Sequence, residues 1–251
     1  MDYARDAMTS KNMPHSHSEI MDFVCPFCCY SGPLNLMGAD RFPVLKELQV
    51  IGAGRRAARC PDCNSTDKER LVFCYLKDVE KIDKKSGIAV LHIAPEKNLM
   101  KWLQDNVGDY IAGDAFLQNQ EFLEGVIELD ILGTEFPDNH FDYIICNHVI
   151  CDIKDDVKAL SEIYRLLKPG GQAIIQVPIT KISDTVHYDY VSSKEEREQA
   201  YGYGYHERIY NNEDYKNLLS KIGFVVKVSN ISFDFPTSGL NEREDLYICS
   251  K

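Results

Sequence analysis

Hydrophobic positions fall into two regimes along the chain. Before about residue 66 they come in short apolar pieces broken by Gly and Pro, without a sustained period, which predicts a small hairpin-rich unit. From Asp67 the pattern changes. Leu71, Tyr75, Leu76, Val79 and Ile82 recur at helical spacing and predict an amphipathic helix over 67–82. Strand and helix signals then alternate. Ile88 to Ile93 reads as a buried strand, and Leu99, Met100, Leu103 and Val107 as one face of a helix. A second strand covers Asp109 to Ala112 and ends at Asp114. A third covers Val126 to Leu129 and ends at Asp130, and a fourth runs from Phe141 to Cys146 after the turn Pro137-Asp138-Asn139. A helix from Asp155 to Leu167 is expected to bury Val157, Leu160, Ile163, Tyr164 and Leu167, and to stop at Lys168-Pro169-Gly170-Gly171. Ala173 to Val177 is a fifth strand. Such alternation implies a mostly parallel sheet with helices on both faces. The tail predicts a helix carrying Tyr215, Leu218, Leu219 and Ile222, with Gly223 as its cap. Two last strands follow, Phe224–Val228 and Leu246–Cys249, joined by a long turn region.

A chain of 251 residues, 44% apolar and 27% charged, can bury a sizeable core without disulfide staples. No apolar run reaches membrane-spanning length. Residues 1–20 are polar, mixed in charge and without an apolar h-region. They are expected to be a disordered leader rather than a secretory signal. Nine cysteines without such a signal point to a reducing, cytoplasmic setting, where Cys pairs more often mean metal or catalysis than disulfides. Residues 1–85 carry 13 Lys and Arg against 12 Asp and Glu, the remainder 15 against 27. The acidic body repels a phosphate backbone, which argues against nucleic acid as a partner. Arg55, Arg56 and Arg59 form the one candidate basic patch, and the preferred reading is that they are solvated or paired with nearby acids.

Cys25-Pro26-Phe27-Cys28 and Cys60-Pro61-Asp62-Cys63 are two Cys-x-x-Cys knuckles. Each directs two thiolates at one ion, so together they complete a tetrahedral, closed and therefore structural zinc site. The 31 residues between Cys28 and Cys60 exceed the usual spacing of about 15–20, which lengthens the loop. A redox dithiol, a mononuclear iron site and four buried thiols are the competing readings. Cys29 adjoins the first knuckle, and Cys74, Cys146, Cys151 and Cys249 are expected in the core. Gly52-Ala53-Gly54-Arg55-Arg56-Ala57 matches a dinucleotide fingerprint, but a Cys knuckle follows it instead of a helix, so it reads as a turn of the metal-binding unit.

The first strand–helix junction, His92-Ile93-Ala94-Pro95-Glu96, has no glycine fingerprint. A dinucleotide needs those glycines so that its pyrophosphate can approach the backbone, which argues against NAD or FAD. A cofactor without a pyrophosphate escapes that requirement. Asp114, 22 residues after His92, is placed to accept from ribose hydroxyls. Asp130 and Ile131 are placed for an adenine, and Asn147 and His148 end the fourth strand beside the switch point where open sheets bind ligands. Asp114 and Asp130 as turn formers and His148 as a core histidine are the bland alternatives.

These residues resemble the class I S-adenosylmethionine-dependent methyltransferases, in particular methyltransferase type 11. The resemblance is carried by Val90-Leu91-His92-Ile93-Ala94-Pro95-Glu96, Tyr110-Ile111-Ala112-Gly113-Asp114, Leu129-Asp130-Ile131, Phe136-Pro137-Asp138-Asn139-His140-Phe141-Asp142 and Tyr164-Arg165-Leu166-Leu167-Lys168-Pro169-Gly170-Gly171. The segment 52–70, with Cys60-Pro61-Asp62-Cys63-Asn64-Ser65, is similar to the zinc-ribbon extension of one bacterial branch, and the whole resemblance covers roughly 24–251. It implies a Rossmann-like, doubly wound α/β fold: a seven-stranded sheet, its last strand antiparallel, with the leader at 1–20, a zinc ribbon at 21–66 and the methyltransferase domain at 67–251. By position it implies that His92, Ile93, Ala94, Pro95 and Glu96 line the methionine end of the cofactor. Asp114 would meet the ribose, Asp130 and Ile131 the adenine, and Asn147 and His148 the methionine side. Two departures stand out. Ala-Pro-Glu replaces the glycine-rich loop, and Ile150-Cys151-Asp152 stands where many relatives have Leu-Glu-His.

The segment from Ser183 to Tyr210 has no clean period. It crowds Tyr188, Tyr190, Tyr201, Tyr203, Tyr205 and Tyr210 with His187, His206 and Arg208. Following the fifth strand, it is expected to be a lid held by few apolar residues, with His206 as the candidate general base. A structural cover is the alternative. The function expected is methyl transfer from S-adenosylmethionine to an O or N acceptor, a small molecule or a sugar, with Zn2+ serving structure. Two other readings are weighed against it. One is a catalytically silent methyltransferase fold whose ribbon docks to a protein or nucleic acid. The other is a nucleotide-dependent oxidoreductase, which the missing fingerprint disfavours. Neither the acceptor nor the oligomeric state is written in the sequence.

Overall fold

Alternate side chains of the central strands point into two separate apolar layers, and this builds the domain. In β3 (Ala89–Ile93), Ala89, Leu91 and Ile93 face one layer and Val90 the other. Ile144 and Cys146 against Tyr143 and Ile145 do the same in β6 (Phe141–Asn147). The computed structural model describes residues 22–115 and 124–251, so the expected leader at 1–20 lies outside the described residues. Burying a side chain such as Leu91 or Ile145, each fully inaccessible, contributes about 1.5–3 kcal/mol.

The remaining strands of this sheet are β4 (Asp109–Asp114), β5 (Val126–Glu128), β7 (Leu167–Gln176), β10 (Val225–Ser229) and β11 (Leu246–Ser250). The order is β5-β4-β3-β6-β7-β11-β10, with β11 antiparallel to both neighbours and the pairs from β5 to β7 parallel. One layer is covered by α4 (Asp156–Leu166) and α6 (Asn212–Ile222), the other by α2 (Asp67–Cys74) and α3 (Lys97–Asn106). This is the expected seven-stranded α/β sheet. Cys74, Cys146, Cys151 and Cys249 are buried in it, as the sequence suggested. Among the described residues no helix is long and apolar enough to cross a membrane.

Several local expectations change. The helix expected over 67–82 is α-helical only to Cys74. It then widens into a π-turn over Tyr75–Val79 and ends at Lys81, whose φ is +53°. Tyr75 and Leu76 stay buried through that turn while Val79 emerges 48% exposed. Val157, expected inside, is 50% exposed, because α4 buries the stripe Ala159, Leu160, Ile163 and Leu166. Lys168-Pro169-Gly170-Gly171 does follow the helix end, but it forms the irregular first part of β7, not a free loop.

The front unit is a two-stranded antiparallel ribbon, β1 (Asn35–Met37) with β2 (Arg56–Arg59), and a short helix α1 (Pro43–Glu47) between them. Arg55 pairs with Asp40 and Arg56 with Asp67, so the basic patch is largely neutralised, as preferred.

The segment after β7 is more ordered than a lid held by few apolar contacts. β8 (Ile179–Thr180) pairs in parallel with β9 (Tyr210–Asn211), and α5 (Lys194–Tyr201) starts with a capping box between Ser193 and Glu196. Val50, Tyr201 and Ile209 form a small core with Leu45, Leu48, Val186, Val191 and Ala200. This layer ties the segment to the front unit. It corrects the expectation of weak apolar anchoring.

Candidate functional site

The two knuckles bring their four thiols together. The Sγ atoms of Cys25, Cys28, Cys60 and Cys63 all lie within 4.8 Å of one another. Cys25 to Cys63 is 3.5 Å and Cys28 to Cys60 is 3.6 Å. Four sulfurs at about 2.3 Å from a tetrahedral zinc would stand about 3.8 Å apart, so the spacing fits the ion. The knuckles are built alike. Cys29 and Asn64, with φ near +60°, turn the chain so that their N–H groups donate back to the carbonyls of Cys25 and Cys60. Cys29 is exposed and outside the cluster. Burial pushes the Cys25 thiol up, but the Ser65 hydroxyl and the backbone N–H groups of Cys28 and Phe27 outweigh it and bring it to about 7. Arg70, fully buried, donates to the carbonyl oxygens of Ala58, Ser65, Ser238 and Gly239, which ties the knuckle to the loop before β11.

The cofactor candidates converge at the carboxyl ends of β3, β4 and β6. There the strand order reverses, and open parallel sheets take their ligands at such a point. Ala94 takes the left-handed conformation, φ +49°, at the place of the missing glycine. His92 is fully buried. Its Nδ1 meets the Tyr110 hydroxyl at 3.0 Å and its Nε2 meets Glu96 Oε2 at 2.9 Å, so the ring positions Glu96 from beneath. Asn147 donates through Nδ2 to Glu96 Oε1, while its own Oδ1 is buried with no hydrogen-bond partner among the described residues. Asp114 is buried at the end of β4. Gly113 before it lets β5 approach, since a Cβ there would meet the Leu129 side chain at 2.6 Å. Asp130 is exposed and its Oδ1 accepts from Leu132 N at 2.9 Å, a turn in its own right, and Ile131 beside it is buried. The Asn147 side-chain carbonyl, without a partner among the described residues, and the Glu96 carboxylate beside it form an acceptor-bearing rim at the strand ends, where β4 also ends in Asp114. That suits a ligand rich in N–H and O–H donors, as an amino-acid and ribose end would be.

His148 continues the rim with φ +59°. Its Nδ1 lies 3.0 Å from Lys68 Nζ and its Nε2 lies 3.3 Å from Glu244 Oε1. Burial, with Lys68 beside it, holds the imidazole well below its usual range, so it is neutral. Gly52, in the turn that mimicked a dinucleotide fingerprint, packs onto this ring: a Cβ there would stand 2.9 Å from His148 Cε1. Just beyond β6, Cys151, Asp152 and His206 gather their ligand atoms within 4.8 Å. His206 Nε2 is 3.6 Å and Cys151 Sγ 3.4 Å from Asp152 Oδ1. His206 is buried, and burial together with Lys68 and His148 lowers it to about 3. Burial raises Asp152 to about 6, against the opposing Cys151 thiol and Lys68.

His92, Glu96 and Asn147 are joined by hydrogen bonds, Asp114 ends the neighbouring β4, and His148 follows Asn147, with Lys68 bearing on both His148 and His206. Lys68, Glu244 and Asp152 were missed. Only Asp152 had a visible signal, as the first acid after the fourth strand.

Residues 79–175 match the methyltransferase domain family. A demethylmenaquinone methyltransferase of Listeria welshimeri is 38% identical over 66 residues, covering 26% of each chain. A ubiquinone/menaquinone biosynthesis C-methyltransferase of Psychromonas ingrahamii is 48% identical over 40 residues, covering 16% of each. The chain thus matches about a quarter or less of the length of these curated relatives. A solved S-adenosylmethionine-dependent methyltransferase of Archaeoglobus fulgidus superimposes with a TM-score of 0.50 at 17% identity, covering 72% of this chain and 94% of that one. With this sheet order, residues 79–175 are similar to the methyltransferase domain family, and the chain has the fold of that solved S-adenosylmethionine-dependent methyltransferase.

Proposed function

We propose that the protein moves a methyl group from S-adenosylmethionine to a small-molecule acceptor, with Cys25, Cys28, Cys60 and Cys63 holding one structural Zn2+. The observation that carries this reading is the buried Asn147 carbonyl, without a partner among the described residues, beside Glu96 at the switch point. Bound S-adenosylmethionine would supply an electrophilic methyl group on a sulfonium. Asp114 receives the ribose hydroxyls, and Asp130 and Ile131 flank the adenine. Ile93, Ala94, Pro95 and Glu96 face the methionine end with Asn147 and His148. His92 holds Glu96 in place.

On the acceptor side, Asp152 and His206 form the proton-accepting pair. His206 is neutral at working pH and too weakly basic to act alone, so Asp152, raised to about 6, takes the proton while His206 orients it. The exposed faces of Tyr188, Tyr190, Tyr203 and Tyr205 suit a ring with polar edges. Both curated relatives are named for quinone-type acceptors, and the second for C-methylation. That supports an acceptor with a ring hydroxyl, whose deprotonation makes both its oxygen and the neighbouring ring carbon nucleophilic. This widens the expected O or N acceptor to include carbon. The test is incubation with S-adenosylmethionine tritiated in the methyl group against phenols, hydroxynaphthoates, quinols and sugars. Label in a hydroxylated ring supports the reading. Cofactor binding without turnover on any acceptor, lysate included, would favour the silent binding module.

A further inference from the structure

Lys68 lies on the first turn of α2, and among the described residues no carboxylate pairs with its ammonium directly; Glu244 acts on it from the far side of His148. Its ammonium donates to His148 Nδ1 at 3.0 Å. Because a lysine has no acceptor, this bond fixes the tautomer: Nδ1 accepts, and Nε2–H donates to Glu244. Imidazole is a neutral partner and uses one of three ammonium hydrogens. Among the described residues no carboxylate lies within 4.0 Å of Lys68 Nζ. The acids nearest in sequence are committed elsewhere. Asp67 takes a bidentate pair from Arg56 at 2.5 and 2.8 Å, and Glu69 accepts from the backbone of Asn98 and Leu99. Glu244 receives His148. A half-buried cation with two N–H groups lacking a partner among the described residues is costly unless something else completes it. The ammonium also acts on both halves of the site, bearing on His148 at the methionine side and on Asp152 and His206 at the acceptor side.

We propose that Lys68 is an oxyanion-binding residue of the cleft, pairing with a ligand carboxylate or an ionised ligand hydroxyl. This rests on the methyl-transfer reading and adds a binding residue to it, one contributed by the helix that follows the ribbon. Two ligands carry that chemistry here. The cofactor ends in a methionine carboxylate, and the proposed acceptor acquires a negative oxygen when its ring hydroxyl is deprotonated. The position beside Asn147 and His148 favours the first source: Glu96 and the Asn147 carbonyl would take the ammonium of the same amino-acid end and Lys68 its carboxylate.

The test is calorimetry on the full zinc-loaded chain, wild type against Lys68→Met and Lys68→Arg. The probes are S-adenosylhomocysteine, then 5′-methylthioadenosine, which lacks the amino-acid end, and finally 1-hydroxy-2-naphthoate added to protein saturated with S-adenosylhomocysteine. For the cofactor source, Lys68→Met weakens S-adenosylhomocysteine at least tenfold, leaves methylthioadenosine within twofold, and Lys68→Arg retains most of the affinity. For the acceptor source, both nucleosides bind unchanged and naphthoate binding falls at least tenfold. If all three probes bind the folded Lys68→Met variant as they bind wild type, the proposal is overturned. Should Lys68→Met fail to fold, the Lys68→Arg and Lys68→Gln pair decides by the same readout: equal affinity for every probe overturns it. Wild type that binds no nucleoside would instead refute the methyl-transfer reading itself, so the two failures are distinguishable.

Discussion

The side chain of Glu69 caps a helix it does not belong to, and removing it should cost more than its surroundings suggest. Glu96 at the head of α3 makes no capping bond with its side chain. Glu69, reaching over from α2, accepts from Asn98 N at 2.8 Å and Leu99 N at 3.0 Å, and its second oxygen lies 3.3 Å from Asn98 Nδ2. Asn98 in turn donates to the carbonyl of Cys63 in the second knuckle. The chain of contacts runs from the thiol cluster to the helix that begins right after Ala94-Pro95-Glu96. Glu69→Ala leaves two backbone N–H groups without partners in a closed site, at about 1–3 kcal/mol each, so about 2–6 kcal/mol in total. Glu69→Gln keeps the accepting oxygen. It loses a charge at a helix N-terminus, about 0.3–1 kcal/mol, and also relieves the strain that burial and the nearby Glu96 impose on the carboxylate, which raise its pKa. The Gln variant should therefore fall within about 1 kcal/mol of wild type by the same bookkeeping of lost partners. Urea unfolding in a zinc-buffered solution measures both. The Ala variant should also bind S-adenosylhomocysteine several-fold more weakly, because the loop ahead of α3 loses its anchor. Equal stability of the Ala and Gln variants would refute the capping role.

Other outcomes follow from the same geometry. Purified protein should hold one zinc per chain, and chelation should unfold the front unit, since structural zinc contributes on the order of 10 kcal/mol of apparent binding energy; four freely titrating thiols and no zinc or iron would contradict the site. Gly52→Ala places a Cβ at φ +81° and 2.9 Å from His148, and should cost about 1–3 kcal/mol in urea unfolding. Glu162, held by Arg165 and also by Thr134, sits near 2 in the folded chain. Its stabilising contribution is thus complete above the ordinary carboxylate range and lost as pH falls toward 2. Glu162→Gln should flatten the acid limb of the stability profile by about 1–2 kcal/mol after solvent screening, and an unchanged acid limb would count against the pair. Asp152→Asn should lower turnover by about 10²–10⁴-fold with S-adenosylhomocysteine affinity unchanged; full activity would remove Asp152 as the proton acceptor.

How much of this was legible in sequence depends on how far apart the cooperating residues lie. The sheet could be read because strands buried on both faces leave continuous apolar runs such as Val90 to Ile93 and Phe141 to Cys146, and the acids that end them mark the ligand edge. The four thiols could be read because each knuckle is local. The π-turn at Tyr75 could not, since its side chains keep a helical rhythm while the backbone widens. Nor could the Lys68–His148–Glu244 chain, which joins residues 80 and 96 positions apart across three segments. His206 was picked as a base for the imidazole's usual titration range. The burial and the nearby Lys68 that lower His206, and the burial that raises Asp152, come from distant segments and leave no mark in the local sequence. The segment 183–210 read as a bare lid because the apolar residues that anchor it, Leu45, Leu48 and Val50, come from the front unit.

The claim on which the rest depends is that the carboxyl ends of β3, β4 and β6 form an S-adenosylmethionine cleft with Asp114 on the ribose. Calorimetric titration of the zinc-loaded chain with S-adenosylhomocysteine tests it most directly, with Asp114→Ala alongside. One site per chain is expected, weakened roughly ten- to hundredfold in the variant through the loss of charge-assisted bonds of about 1.5–3 kcal/mol. No binding by the folded wild type, or equal affinity in a folded Asp114→Ala variant, would contradict it.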